Sequence, residues 1–205
     1  MKPYLLHLTR WHEIAAERES ISYGVLCNTY LGSGDALKAV SAALLTAGGI
    51  HAPITQTQKL LQWSLSMLNR SGAAKAEREI RLKFNEIIQT GFLIPGVGSS
   101  FVATDTTQAE LFHKTLIEGG DQWAADLMGM WATAARMATV SARDNHGKPL
   151  IPNLAFATAI HAIIEKIHPD VAPALFAQFR IKAWVGILST MQTRRGKRPI
   201  YLYQP

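Results

Sequence analysis

The segment IPGVGSSFVATDTTQAEL, residues 94–111, contains two glycines and two serines between stretches with helical patterning. Glycine allows the backbone to turn sharply and to approach another group closely. No side chain from Gly98 to Thr104 can carry a charge. The segment therefore has the backbone of a binding loop, but its side chains offer hydroxyl groups in place of charges. Ser99 and Ser100 could also serve only the turn, and no recognisable Ser-His-Asp arrangement would make either serine a nucleophile.

Two other segments accompany this loop. AALLTAGGIHAPITQTQKLL (residues 42–61) has a small-residue turn before a histidine, and KPLIPNLAFATAIHAII (residues 148–164) has Pro-Asn before a helical run. In chain order, the three segments resemble motifs of the citrate synthase superfamily, which includes citryl-CoA lyase domains. Those motifs are His-Gly-Gly-Ala-Asn, then Pro-Gly-Phe-Gly-His-Arg-Val-Tyr-Lys with a later Asp-Pro-Arg-Ala, and then Pro-Asn-Val-Asp-Phe-Tyr-Ser-Gly.

The C-terminal segments extend the resemblance. FAQFRIKAWVGILSTM and GKRPIYLY are similar to the family's terminal Ala-Arg helix and its Arg-Pro-X-X-X-Tyr tail. Order and spacing agree from about Ser20 to Tyr203, and this span corresponds to the C-terminal portion of a full-length citrate synthase. The resemblance implies an all-α, citrate-synthase-like helical fold with a truncated large domain and a small domain, arranged as a homodimer.

The resemblance also implies a role for each matched position. His51 stands where a family histidine hydrogen-bonds the enol of the acyl-CoA as it forms. Ser99 stands where a second histidine polarises the ketone of the oxo-acid, and Ser100 replaces the neighbouring arginine. Gln108 ends the sequence Thr-Thr-Gln where the family has Asp-Pro-Arg, whose arginine grips a substrate carboxylate. His51 and Ser99 are therefore the candidate catalytic residues, and all four positions are candidates for ligand binding.

Two arginines complete the set of candidate ligand-binding residues. Arg180 matches the arginine of the terminal helix, and Arg198 matches the tail arginine that in the family reaches the partner subunit's site. The aspartate that removes the acyl α-proton in the family is replaced by Ala155. A family His-Glu pair lies upstream, but an alignment without a gap puts alanines there, so His12 and Glu13 are left unassigned.

These replacements remove much of the standard chemistry. Abstracting a proton next to a thioester needs a base within hydrogen-bond reach, and Ala155 cannot act as one. Polarising a carbonyl needs a donor aimed at the developing oxyanion, and losing one such donor typically costs roughly a hundred- to a thousand-fold in rate. Ser99 could still donate, with a shorter reach than imidazole. Gln108 provides a neutral donor in place of a bidentate cation.

Two of the matched residues have structural alternatives. His51 could help to cap the helix that begins near Pro53 instead of contacting a ligand. Arg180 lies in an otherwise apolar helix, and a buried arginine needs an anionic partner, which could be a ligand carboxylate or an internal Asp or Glu. The ligand reading predicts an anion site formed by His51 and Arg180 of one subunit and Arg198 of the other.

Composition limits the class of protein. The chain has 205 residues, of which nearly half are apolar and under a fifth are charged, which suits a well-buried globular protein or an oligomer. No apolar run approaches the roughly 20 residues that span a membrane. The single cysteine, Cys27, excludes an intrachain disulfide and suits a reducing cytoplasm. The scattered histidines and the absence of a paired-cysteine motif predict no metal site.

The excess positive charge is concentrated near the C-terminus. The formal charge is +6, and the segment TRRGKRP, residues 193–199, holds the densest basic cluster. Such a cluster could meet nucleic acid, an anionic cofactor or only water. It has no interleaved aromatic residues and no accompanying recognition motif, so nucleic-acid binding is the less favoured interpretation.

Helical patterning dominates the chain and predicts an all-α fold. The predicted helices are GDALKAVSAALLTAGG, APITQTQKLLQWSLSMLNRSG, AAKAEREIRLKFNEIIQTG, TTQAELFHKTLIEGG, DQWAADLMGMWATAARMATVSARDNHG, NLAFATAIHAIIEKIHP and VAPALFAQFRIKAWVGILSTMQ. Short strands are expected at Phe92–Ile94 and Pro199–Tyr203. The resemblance predicts one citrate-synthase-like unit over residues 1–205. Roughly residues 75–165 would form small-domain-like helices, and the remainder large-domain-like helices and the tail.

Three functional hypotheses remain. The first is a citrate-synthase-like protein that binds a carboxylate or a CoA thioester without the standard reaction. The second is an enzyme with altered chemistry, citryl-CoA lyase-like or acting on another acyl-CoA or carboxylate, through His51, Ser99 and the two arginines. The third is a basic helical protein that binds nucleic acid. No covalently bound cofactor is predicted, and a CoA thioester would be a substrate. We expect a homodimer, with Asp35–Ala47 and Pro53–Asn69 as interface helices, because the chain has more apolar helix surface than a monomer easily hides.

Overall fold

The computed structural model describes residues 2–18, 20–47, 54–98, 102–141 and 150–194. Within these ranges the chain forms nine α-helices. They are α1 Pro3–Arg18, α2 Ser20–Ser33, α3 Ala36–Ala47, α4 Ile54–Ser71, α5 Ala73–Gln89, α6 Val102–Glu118, α7 Gln122–Ser141, α8 Leu154–Ile164 and α9 Ala172–Arg194. The same ranges contain no strand, and their β-type pairing is limited to an isolated antiparallel bridge between Val97 and Pro152. The predicted all-α class is confirmed.

Side-chain caps explain where two of the predicted helices begin. The Asp35 carboxylate accepts hydrogen bonds from the backbone N–H groups of Leu37 and Lys38, at 2.9 and 3.1 Å. Asn153 caps α8 in the same way. These side chains satisfy backbone donors that have no partner inside the helix. Short polar residues in front of apolar runs are therefore reliable start signals in this chain.

The secondary structure differs from the sequence-based expectations at one expected strand and at two helices, and a second expected strand lies outside the described residues. The strand expected at Phe92–Ile94 does not form. Phe92 and Leu93 are 73% and 84% exposed, and apolar β-prone residues do not make a strand without a partner strand. Helices α1 and α2 were not predicted. The strand expected at Pro199–Tyr203 lies outside the described residues.

The chain divides into two compact units. The first comprises Met1–Trp11 and Ala52–Phe176, and the second comprises His12–His51 and Ala177–Pro205. Helices α1 and α9 each contribute residues to both units. The assignment of roughly residues 75–165 to a small domain stays a prediction. No helix in the described ranges is both long enough and apolar enough to cross a membrane.

Aromatic packing builds the interior of the first unit. The Trp131 ring meets the rings of Phe84 and Phe156 edge-to-face, each at a centroid distance of 5.1 Å. Its indole N–H donates to the Ser64 hydroxyl at 3.1 Å, so this buried polar group is satisfied. Helices α4, α5, α7 and α8 are joined through these side chains, and α8 carries Ala155.

The second unit has a core of its own. Tyr30 and Leu26 from α2, Val40 from α3, and Trp184 and Leu188 from α9 are buried there together with small alanines. Ala39 and Ala43 on α3 and Ala183 on α9 are small enough to allow close approach of the helix backbones. The rings of Tyr30 and Trp184 fill the remaining volume of this core. This core holds the part of α9 that carries Arg180.

Candidate functional site

The structure describes three of the positions that the family resemblance singled out, Gln108, Ala155 and Arg180. The predicted site residues outside the described ranges are His51, Ser99, Ser100 and Arg198. Of the segments next to the undescribed residues, the structure describes the chain up to Gly98 and the chain from Ile54 onward. Gln108 and Ala155 belong to the first compact unit, and Arg180 belongs to the second.

The glycine loop, by which we mean residues 94–98, lies beside residues 150–153, the segment that precedes α8. The N–H of Gly98 donates to the carbonyl of Ile151 at 2.8 Å, and the N–H of Asn153 donates to the carbonyl of Gly96 at 3.0 Å. Between these bonds, Val97 and Pro152 form the antiparallel bridge. The second and third family-like motifs, which are about 50 residues apart in sequence, therefore meet through main-chain hydrogen bonds.

The side chain of Asn153 adds three hydrogen bonds at this junction. Its Nδ2 donates to the carbonyl of Gly98 at 2.7 Å. Its Oδ1 accepts from the N–H groups of Ala155 and Phe156, at 2.9 and 3.3 Å. One carboxamide thus caps α8 and also holds the loop backbone immediately before Ser99.

The first turn of α4 closes the other side of the loop. Thr57 is fully buried there, and a Cβ atom added at Gly96 would lie 2.5 Å from Thr57 Cγ2. Gly96 has φ +81°, in the left-handed region that favours glycine. Space and backbone conformation both require glycine at this position. The helix that follows the first family-like motif is therefore packed directly against the loop of the second.

Ala155 occupies the second position of α8. Its side chain is buried, and its N–H is bonded to the Asn153 carboxamide. The start of α8 could stabilise a negative group, but at this position it carries a methyl group. The described geometry places no proton-accepting side chain where the family resemblance has an aspartate.

Gln108 lies on α6 and is buried. Its carboxamide oxygen accepts no hydrogen bond from any described residue. Its main-chain carbonyl accepts a bond from His7 Nε2 at 3.1 Å. Burial lowers the pKa of His7 below its usual range, although the bond to Gln108 acts in the opposite direction. His7 is therefore neutral near pH 7, with the proton on Nε2 and the lone pair on Nδ1.

Arg180 is 1% exposed in the second unit. Its Nη1 donates to the main-chain carbonyl of His12 at 3.2 Å. The His12 ring is itself buried and stacks on Phe179 with centroids 4.7 Å apart and planes 11° from parallel. The burial predicted for Arg180 is observed, while an anionic partner for it stays a prediction. His12, which sequence reasoning left unassigned, lies beside Arg180.

One buried polar pair was missed. The Tyr4 hydroxyl and His161 Nδ1 are 3.2 Å apart inside the first unit. Burial, with contributions from Asp121 and Glu165, raises the pKa of Tyr4 to about 12. Burial also lowers the pKa of His161, an effect that Lys2 reinforces and Glu165 opposes. The pair could have been found only by recognising α1, because no local pattern links residues 4 and 161.

The described residues contain no group of three or more His, Cys, Asp or Glu side chains that could hold a metal ion. His161 packs in the interior of the first unit, and His168 is exposed with its Nδ1 3.7 Å from the Asp170 carboxylate. The described candidate residues of the first unit thus offer hydrogen bonding through amides and an imidazole, and the second unit separately holds one buried guanidinium.

Comparison with solved structures identifies a similar fold. The chain is similar to the structure of citryl-CoA lyase from Hydrogenobacter thermophilus, with a TM-score of 0.58 and 15% sequence identity. The match covers 90% of this chain and 70% of that chain. No protein-family model matches the sequence, and the comparison with curated proteins found no match. At this level of identity, the likeness shows a citrate-synthase-like helical fold.

Proposed function

We propose that this protein uses its citrate-synthase-like fold to bind a carboxylate or a CoA thioester and does not catalyse the standard condensation of acetyl-CoA with oxaloacetate. The observation that carries the proposal is Ala155, a buried methyl group at the start of α8. A general base must lie within hydrogen-bond reach of the proton that it removes. The neighbouring polar side chain, Asn153, is occupied by three hydrogen bonds and is a carboxamide without basic character.

Ligand binding does not depend on the lost base, because binding and proton abstraction use different groups. Arg180 is a buried cation, and a guanidinium can offer a carboxylate two parallel N–H donors. Gln108 supports a polar ligand in the first unit, because its buried carboxamide oxygen lacks a donor among the described residues. A ligand hydroxyl or amide group would supply that donor.

Following the release of free thiol from acetyl-CoA in the presence of oxaloacetate tests the catalytic half of the proposal. The expected turnover is far below that of ordinary enzymes. Turnover of about 1 per second or more, the lower end of the usual range, would overturn it. A thermal-shift screen of acyl-CoAs, dicarboxylates and tricarboxylates tests the binding half, and a rise in melting temperature with one of these classes is expected.

The second candidate function is an enzyme with altered chemistry of the citryl-CoA lyase type. The observation that favours it is the structural likeness to a citryl-CoA lyase. The residues available for such chemistry would be His51 and Ser99. Incubating the protein with citryl-CoA and measuring acetyl-CoA by chromatography separates this candidate from pure binding. Product that forms with wild-type protein and not with a His51→Ala variant would favour the lyase.

A further inference from the structure

We infer that Asn153 is a positioning residue, whose side-chain amide fixes the backbone of the glycine loop at Gly98 independently of its role as the cap of α8. The inference rests on the proposed function in one respect, namely that the loop beyond Gly98 contacts the ligand. The structural half of the inference stands on the described hydrogen bonds alone.

The two ends of the Asn153 carboxamide have different partners. Oδ1 accepts from Ala155 and Phe156, which is the capping interaction, while Nδ2 donates to Gly98 across the loop at 2.7 Å. Asp and Ser cap helices about as well as Asn does. An ionised Asp has no donor, so it could cap α8 but could not make the bond to Gly98 that Asn153 makes.

Gly98 is a position at which the backbone needs external restraint. Its φ of +83° lies in a region that glycine enters freely, and glycine loses more conformational freedom on folding than any other residue. Its N–H is held by Ile151, and its carbonyl is held by Asn153 Nδ2. Both polar groups of the last described loop residue are therefore fixed on the segment that leads into α8.

The surroundings leave the loop little alternative room. A Cβ atom at Gly98 would lie 2.9 Å from Leu150 Cδ2, and a Cβ atom at Gly96 would meet Thr57. These contacts hold the loop laterally, whereas the bond from Asn153 fixes the direction of the Gly98 carbonyl. Loss of that bond should loosen the loop at Gly98 and leave α8 capped.

Amide hydrogen exchange on a set of variants tests this separation. Asn153→Asp keeps the cap acceptor and removes the donor to Gly98, whereas Asn153→Ala removes both. Exchange at Val97 and Gly98 should accelerate about tenfold in Asn153→Asp, as expected for the loss of one net hydrogen bond. The amides of Ala155 and Phe156 should keep wild-type rates in Asn153→Asp and accelerate only in Asn153→Ala.

Two further variants serve as controls. Asn153→Ser keeps a capping oxygen on a shorter side chain, so it should loosen the loop as Asn153→Asp does, even if the half-buried carboxylate of the latter prevents folding. Asp35→Ala removes the equivalent cap from α3 and should leave exchange at Gly98 unchanged. Wild-type exchange at Gly98 in both Asn153→Asp and Asn153→Ser would overturn the inference.

Calorimetry with acetyl-CoA and oxaloacetate as probes then tests the link to the ligand. Asn153→Asp should weaken the affinity for the bound probe about tenfold, and Asp35→Ala should leave it unchanged. A loosened loop with unchanged affinity would overturn the link between Asn153 and the ligand. Failure of wild-type protein to bind either probe would count against the proposed function, and the exchange data would still decide whether Asn153 positions the loop.

Discussion

Arg180 is the buried cation on which the proposed anion site depends. It is 1% exposed, whereas Lys182, two residues further along α9, is exposed. The Arg180→Met variant keeps the bulk and removes the charge, so affinity for a bound carboxylate or acyl-CoA should fall by roughly 2 kcal/mol or more, as for a truncated buried charge pair. Isothermal calorimetry measures the effect, and Lys182→Met is the matched control. Equal affinity in wild type and Arg180→Met would mean that the guanidinium has a structural role, which includes its bond to the His12 carbonyl.

Two histidines, the buried His161 and the half-buried His7, make the stability of the fold dependent on pH. Burial lowers the pKa of both His161 and His7 in the folded chain, while an unfolded histidine titrates near 6.5. As the pH falls through about 6.5, the unfolded chain takes up protons that the folded chain does not. The free energy of unfolding should therefore decrease with acidification and level off below the folded pKa values.

Urea unfolding at a series of values from about pH 7.5 down to about pH 5.5, the range in which histidine titrates, measures this dependence. His161→Gln should have a shallower dependence than wild type, because one of the two histidines is gone. His168→Gln changes an exposed residue and is the control. Identical slopes for wild type and His161→Gln would contradict the assignment of this effect to burial of His161.

At single positions, sequence reasoning found the residues whose identity departs from a family pattern. Ala155 and Gln108 were singled out in this way, and Arg180 was expected to be buried because it lies in an apolar helix. Asn153 and Tyr4 were not singled out, because their roles depend on partners 55 and 157 positions away. Local patterns contain no information about such distant hydrogen bonds.

At the level of elements, the glycine loop is held by a close contact with α4 and by a left-handed backbone. Gly96→Ala should destabilise the protein by about 1–3 kcal/mol, the typical cost of a residue held in a strained backbone region, with an added clash against Thr57. Chemical denaturation monitored by circular dichroism gives the change in the free energy of unfolding.

Two other variants separate the two causes. Gly91 has φ +78° and nothing within 4 Å of an added Cβ, so Gly91→Ala reports the backbone cost alone and should be milder than Gly96→Ala. Thr57→Ser removes the methyl group that the new Cβ would meet and should partly rescue Gly96→Ala. Equal losses for the two glycine variants would show that contact with α4 does not constrain the loop.

The helices with strong periodicity were predictable, and the exceptions have physical reasons. In α3 the aspartate cap and the apolar face both pointed to a helix. Helix α2, Ser20–Ser33, contains Gly24, Asn28 and several β-branched or hydroxyl residues with low helix propensity. It packs against α3, and tertiary packing of this kind stabilises helices whose own propensity is weak. The strand expected at Phe92–Ile94 does not form, because residues with high β-propensity need a neighbouring strand to pair with and none lies beside this segment in the described residues.

At the scale of the whole molecule, two boundaries between the compact units lie inside helices, and the sequence patterns did not predict them. Helices α1 and α9 each run from one unit into the other, and sequence patterns within a continuous helix give no sign of such a boundary. The likeness of the fold to a citryl-CoA lyase extends over 90% of the chain, so both units belong to the shared architecture. The predicted homodimer is a separate matter, which depends on the apolar surface that each unit leaves exposed.

Helix α3 carries exposed apolar surface of the kind that oligomers bury. Leu37 and Leu45 are 76% and 87% exposed, and their spacing of eight residues puts them on one face of the helix. The sequence already singled out Asp35–Ala47 as an interface helix. We therefore predict that the protein sediments as a homodimer at micromolar concentration, with α3 in the interface.

A double variant tests this directly. Leu37→Glu combined with Leu45→Glu places like charges on the same face and should convert the dimer to a monomer in sedimentation velocity, because desolvating unpaired carboxylates opposes association. Leu93→Glu is the matched control, since Leu93 is equally exposed but lies outside the predicted interface helices. Circular dichroism should show that all variants keep the helical fold. A wild-type protein that sediments as a monomer would contradict the prediction, and a dimer that persists in the double variant would place the interface elsewhere.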